Sequence, residues 1–281
     1  MRFHLRQKGG ERPLEQALSK SRIHLIDEIR GFCILAMIFH HAAYDIVEVF
    51  GDKNGLPFLQ FCEAVRLPFV FAFILISGLA CRLSHSNALR GAKLAVIALL
   101  LTAFTAIFMP EQIILFGILH MLAAGMLLFA LLRPLLDKIK PWVGIAVCLV
   151  LFLFTYRIQE GFVGIPYLLE IPLPESLAKI EWLFPFGIMG EHFYSSDYFP
   201  LFPWLFLFLL GSFIGVWAKE GKFPKWTYPT RVPFLSFVGK YTLWVYIAHQ
   251  PVVYGILYVF YPVSYTHLRS GCPLHGGQPG G

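Results

Sequence analysis

The sequence predicts an all-α integral membrane protein, a polytopic bundle of about seven transmembrane helices with a cytoplasmic N-terminus. Three observations predict it. Of 281 residues, 57% are hydrophobic and only 14% charged, against roughly 45–50% and about 25% in soluble domains, and the mean hydropathy is +0.64. Apolar runs close to the roughly 20 residues that cross a bilayer as helix recur along the chain. Lys and Arg alternate between successive connections, which sets an orientation. A soluble enzyme, a disordered chain and a fibrous protein are excluded.

The runs fall at 30–50, 65–83, 91–109, 112–133, 141–157, 200–218 and 233–260. The first begins too late and runs too long for a cleaved signal peptide, so it reads as a retained span behind a cytoplasmic tail, 1–26. With the N-terminus inside, sixteen Lys and Arg fall on inner segments and four (Lys53, Arg66, Arg157, Lys179) on outer ones. That asymmetry accounts for the net charge of +6 without a nucleic-acid partner. The membrane domain is expected over 27–260. Its outer segment 158–199, with an amphipathic stretch near 180–189 and many aromatics, is expected to lie on the outer surface and cap the bundle. Residues 261–281, rich in Gly and Pro, read as a disordered or non-native tail, so Cys272 and His275 are set aside. The five cysteines show no ligand spacing, and no metal or disulfide framework is indicated.

Ionisable groups within spans are costly, at about 2.5–3.5 kcal/mol for a central charge, so each asks for a reason. His41 lies nine residues before Phe50, His120 eight after Gln112, and His249 eleven before Phe260. At about 1.5 Å per residue, all three fall roughly 12–17 Å below the outer surface, in one layer. Asp45, four residues beyond His41, shares its helical face and is expected to orient the imidazole as a base. His40 reads as a helix-packing residue. Arg30, at the inner mouth, fits either an anchor or a contact to the phosphates of an anionic donor. Ser77-Gly78, Gly211 and Gly215 are small residues that let helices pack closely. Pro203-Trp204 opens the sixth span, with Trp204 at an interface or against the cavity. Nucleotide-loop, serine-hydrolase and zinc-protease motifs are absent.

Four segments in order carry a resemblance: Arg22-Ile23-His24-Leu25-Ile26-Asp27-Glu28-Ile29-Arg30-Gly31 with His41 after ten intervening residues; Phe116-Gly117-Ile118-Leu119-His120; Phe202-Pro203-Trp204 with Gly211; and Gly239-Lys240-Tyr241 through Tyr246 to His249-Gln250-Pro251. Over about 22–260 the chain resembles the heparan-α-glucosaminide N-acetyltransferase catalytic-domain family, and the Arg-x10-His spacing is similar to that of the broader membrane acyltransferase superfamily. The resemblance implies a multi-helix membrane enzyme that takes acetyl from cytosolic acetyl-CoA, its co-substrate, and delivers it to an amino sugar or glycan on the far side. It implies His41 as the acetyl-transfer histidine or base with Asp45 orienting it, Arg30 on the donor, and His120, His249 and Trp204 lining the cavity. The expected location is a bacterial inner (plasma) membrane, multi-pass, with a homo-oligomer left open. A proton-coupled transporter using the same His and Asp groups, an O-acyltransferase of the wider superfamily and a non-catalytic scaffold are the alternatives.

Overall fold

The computed structural model describes residues 22–165 and 168–261; the N-terminal tail to 21, Pro166, and the tail with Cys272 and His275 lie outside the described residues. Seven helices are long and apolar enough to cross a membrane, as the composition predicts. They are α1 (His24–Tyr44), continued by a π-helical turn at Asp45–Val49, α2 (Leu56–Leu83), α3 (Asn87–Phe108), α4 (Ile118–Leu136), α5 (Pro141–Thr155), α6 (Leu201–Lys219) and, after the short helix α7 (Pro233–Lys240), α8 (Thr242–Phe260). Proline opens α5 and α7 at the first turn, where its missing N–H has no intrahelical partner to lose.

The first and third spans start earlier than expected, at His24 and Asn87, and three further differences bear on the site. The second span starts at Leu56, not 65, so Glu63 belongs to the helix, and Arg66, counted with the outer cations although it falls in the run 65–83, lies well inside it. The fourth starts at Ile118, not 112. Gln112 closes a 3-10 turn (Pro110–Gln112) and residues 113–117 are apolar but not helical, and non-helical backbone at membrane depth persists only where protein satisfies its polar groups. Here it does: the Ile114 N–H donates to Thr105 Oγ1, Leu115 N–H to Ser195 Oγ and Ile118 N–H to Asp197 Oδ2. The seventh breaks at Tyr241 into α7 and α8.

The core lies between α2, α4 and α6, where Ile74, Met121, Phe129, Phe208 and Phe213 are fully buried. Packing of α2 on α6 is close enough that a Cβ on Gly78 would collide with the Phe208 carbonyl and one on Gly211 with the Leu75 carbonyl, the small-residue contact that replaces hydrophobic association in lipid. Gly31 and Gly239 bring α1 onto α7 in the same way. Glu28 fixes the approach to α7 by accepting from the Arg231 and Val232 N–H groups at 2.6 and 3.0 Å. Arg82 is buried at the inner end of α2, donating to the Ser212 carbonyl, paired with Asp137 and stacked over Phe129. Outward faces carry exposed Ile107, Leu131 and Val259, as lipid-facing surface requires.

The outer segment forms a two-stranded antiparallel hairpin, β1 (Phe162–Ile165) with β2 (Leu169–Pro172), then a helical turn (Glu175–Ala178) and a 3-10 turn (Glu181–Phe186). Its end folds back on the bundle: Ser196 and Phe199 N–H groups donate to the carbonyls of Ile113 and Phe116.

Candidate active site

A cavity of about 880 Å³ lies between α1 and α2. Its lining on α2 runs from Phe58 to Phe73, fifteen residues or about 22 Å along the axis. Ser196 and Asp197 line its outer end, Val232 and Phe234 its inner end, and Tyr246 contributes from α8. The wall is chiefly aromatic and aliphatic, with His40, His41, Arg66, Ser196, Asp197 and the Tyr246 hydroxyl among its polar groups.

His41 faces this cavity. Its ring lies 5.1 Å from that of His249 and 5.5 Å from that of His40. His249 is buried behind it and does not line the cavity. Its Nδ1 faces the Tyr246 carbonyl, which accepts only, so Nδ1 carries the proton. Nε2 is then a buried lone pair without a hydrogen-bond partner among the described residues.

Asp45 is not hydrogen-bonded to His41. It is 1% exposed, and both its oxygens accept from Gln250 Nε2, at 3.1 and 2.9 Å. The expected i, i+4 contact assumed regular α-helix; from Asp45 the helix widens into its π turn and the carboxylate is taken by α8. A π turn at this point is a recurrent feature of functional sites.

His40, expected as a packing residue, faces the cavity with a partner. Its Nε2 lies 2.7 Å from Glu63 Oε1, and Arg66 Nε forms an ion pair with Glu63 Oε2 at 3.2 Å. Sequence reading missed Glu63 because the second span was cut two residues short of including it, and took Arg66 as an outer-segment cation; the i, i+3 charge pair beside an apolar run was the available signal.

His120 and Trp204 do not line the cavity, which corrects the expectation for both. His120 stands beside Thr102, six residues or about 9 Å inside the outer end of α3. Its Nδ1 accepts from the Gly117 N–H, so Nε2 carries the proton and donates to Thr102 Oγ1 at 3.1 Å, while Thr102 donates to the Ile114 carbonyl. The imidazole is thus occupied at both nitrogens in closing the start of α4. Trp204 packs among Phe71, Phe152 and Phe199. Its position after the proline is where a helix entering the core buries its first large ring.

Asp197 was also missed. It caps α4 through the Ile118 N–H at 3.0 Å, with Tyr246 Oη at 3.5 Å, and it lines the outer cavity. Burial pushes its carboxyl above the ordinary range, opposed by those two donors. The run Ser195-Ser196-Asp197 just before an apolar span was its sequence signal.

Arg30 lies at the inner end of α1, 3.7 Å from Asp27, which also holds Arg22 at 2.6 Å. It does not touch the cavity wall.

With this geometry in hand, comparison with known families is decisive. Residues 22–251 match the family model described as heparan-alpha-glucosaminide N-acetyltransferase, catalytic. The chain belongs to this family. The match spans every residue that lines the cavity, and also Arg30 and Gln250, which do not line it. No curated protein and no solved structure matches the chain. Membership of the heparan-alpha-glucosaminide N-acetyltransferase catalytic family, with seven spans, makes this an integral multi-pass protein of the membrane acetyltransferase type.

Proposed function

We propose that the protein transfers acetyl from cytosolic acetyl-CoA to an amino sugar or glycan on the outer side of a bacterial inner membrane, with His41 at the point of transfer. The observation that carries this reading is a cavity lined from the inner Val232 and Phe234 to the outer Asp197, with His41 on its wall. An apolar passage suits the thioester arm of the donor, and the outer polar rim suits a hydroxyl- and amine-bearing acceptor. His41 serves as base to the acceptor amine or as the acetyl carrier itself. The His249 lone pair lies behind it to accept a proton or hydrogen bond from the His41 ring. Asp45 is a positioning residue: through Gln250 it holds α8, and so His249, against α1.

Arg30 is assigned to the donor's phosphates, at an inner mouth where it shares Asp27 with Arg22. Steady-state kinetics on purified protein with acetyl-CoA and glucosamine test the assignment. Arg30→Gln is expected to raise KM for acetyl-CoA about tenfold, one charge-assisted contact's worth, with kcat changed less than threefold. Transfer with an unaltered donor KM contradicts the assignment, and the absence of transfer by the wild type contradicts the function.

A further inference from the structure

The layer that holds His41 also holds a cation. Arg66 lies ten residues beyond the start of α2 at Leu56, about 15 Å along the helix, and His41 eight residues before Val49, about 12 Å. Arg66 lines the cavity, and its side chain is 47% exposed. One edge is paired: Nε lies 3.2 Å from Glu63 Oε2, and the other Glu63 oxygen is held by His40. Among the described residues Nη1 and Nη2 have no protein partner. The guanidinium shares the cavity wall with His41 and Asp197. A permanent charge at this depth is costly, and structural pairing with Glu63 accounts for only one of its donor edges.

We propose that Arg66 is a catalytic residue of acetyl transfer: its unoccupied guanidinium edge binds the acetyl carbonyl oxygen and stabilises the oxyanion formed when the nucleophile adds. Glu63 and His40 are positioning residues that hold the guanidinium in the cavity. The inference rests on the acetyltransferase reading above. In the step, the acceptor amine's lone pair bonds to the carbonyl carbon of an acetyl thioester, and the carbonyl π pair moves to oxygen, beside Arg66. When that pair returns, the C–S bond breaks and the thiolate leaves with its electrons. The proton lost by the amine passes to His41 and then to the thiolate, giving amide and thiol. If His41 is acetylated first, the same oxyanion forms twice, in the same place. A fixed donor aimed at developing charge acts on kcat, because the charge is absent from the ground state.

The test is kinetics on the full chain in detergent, with acetyl-CoA and glucosamine as probes, for variants that elute as folded protein. Arg66→Gln is expected to lower kcat about 10²–10³-fold, with both KM values within about threefold. Arg66→Lys keeps an intermediate kcat, and added guanidinium partly restores Arg66→Ala. Glu63→Gln lowers kcat about tenfold. Unchanged kcat, or a raised KM for either substrate at full kcat, makes Arg66 a bystander or a binding residue and overturns the proposal, as does failure of guanidinium rescue. If the Gln and Ala variants misfold, Arg66→Lys decides: a wild-type kcat overturns the proposal and a reduced one at constant KM supports it. A wild type that transfers nothing overturns the acetyltransferase reading itself, and Arg66's role with it.

Discussion

His41→Ala is expected to reduce acetyl transfer by at least about 10³-fold in kcat, in a protein that elutes and melts as the wild type does. General acid–base catalysis contributes about 10²–10⁴-fold, and loss of a covalent carrier costs more. The His41 ring is half-buried against a cavity, so truncation enlarges existing space and costs little stability, about 1 kcal/mol. His249→Ala is the graded comparison: it removes the group behind the catalytic ring, and kcat falls about tenfold. The measurement is acetyl transfer from labelled acetyl-CoA to glucosamine. Transfer by His41→Ala at wild-type rate would place the chemistry elsewhere on the wall, with the His40–Glu63 pair as the next candidate base.

The other large effect is on folding. Gly78→Val and Gly211→Val place branched side chains where α2 and α6 meet backbone to backbone, against the Phe208 and Leu75 carbonyls. Neither neighbour is a side chain that can swing away, so the two helices must separate along the core that buries Phe208 and Phe213. The expected cost exceeds about 4 kcal/mol, the range reached when core packing is disrupted, and the variants should not yield monodisperse protein. Gly255 lies on α8 with nothing near its Cβ direction; Gly255→Ala should stay within about 0.5 kcal/mol of wild type. Thermal melting in detergent separates the three. A Gly78→Val protein that melts like the wild type would mean that the α2–α6 contact is not the one described.

The spans were legible because composition decides them: in lipid a helix must be apolar for about 20 residues and satisfies its own backbone. Their ends were not. Residues 113–117 are apolar yet not helical, because the Leu115 amide, and that of Ile118 after them, are met by Ser195 and Asp197, some eighty residues away. Glu63 and Arg66 look like loop residues until His40, on another helix, is seen to hold Glu63. In the site, His41 was identified by spacing and depth and does face the cavity. His249 was placed at the right level, but behind His41 instead of on the wall. His41 and Asp45 looked like a pair because local helical geometry was all that spacing provided; Gln250, 205 residues away, took the carboxylate. His120 shared the depth of the others and turned out to close a helix start, since an imidazole that accepts from one backbone group and donates to a hydroxyl serves that purpose equally well. Periodicity and hydropathy read what a segment does alone, whereas each of these differences is set by a partner from a distant segment.

The most direct test of the central claim is sidedness. The protein is reconstituted into sealed vesicles with glucosamine trapped inside and labelled acetyl-CoA added outside, and orientation is fixed by labelling Lys138 and Lys140 on the inner connection. Vesicles with that connection facing the added acetyl-CoA should accumulate trapped N-acetylglucosamine, those of opposite orientation should not, and His41→Ala should abolish the product. Acetylation only when donor and acceptor share a compartment, or pH-driven flux of solute with no acetyl transfer, would contradict a transmembrane acetyltransferase.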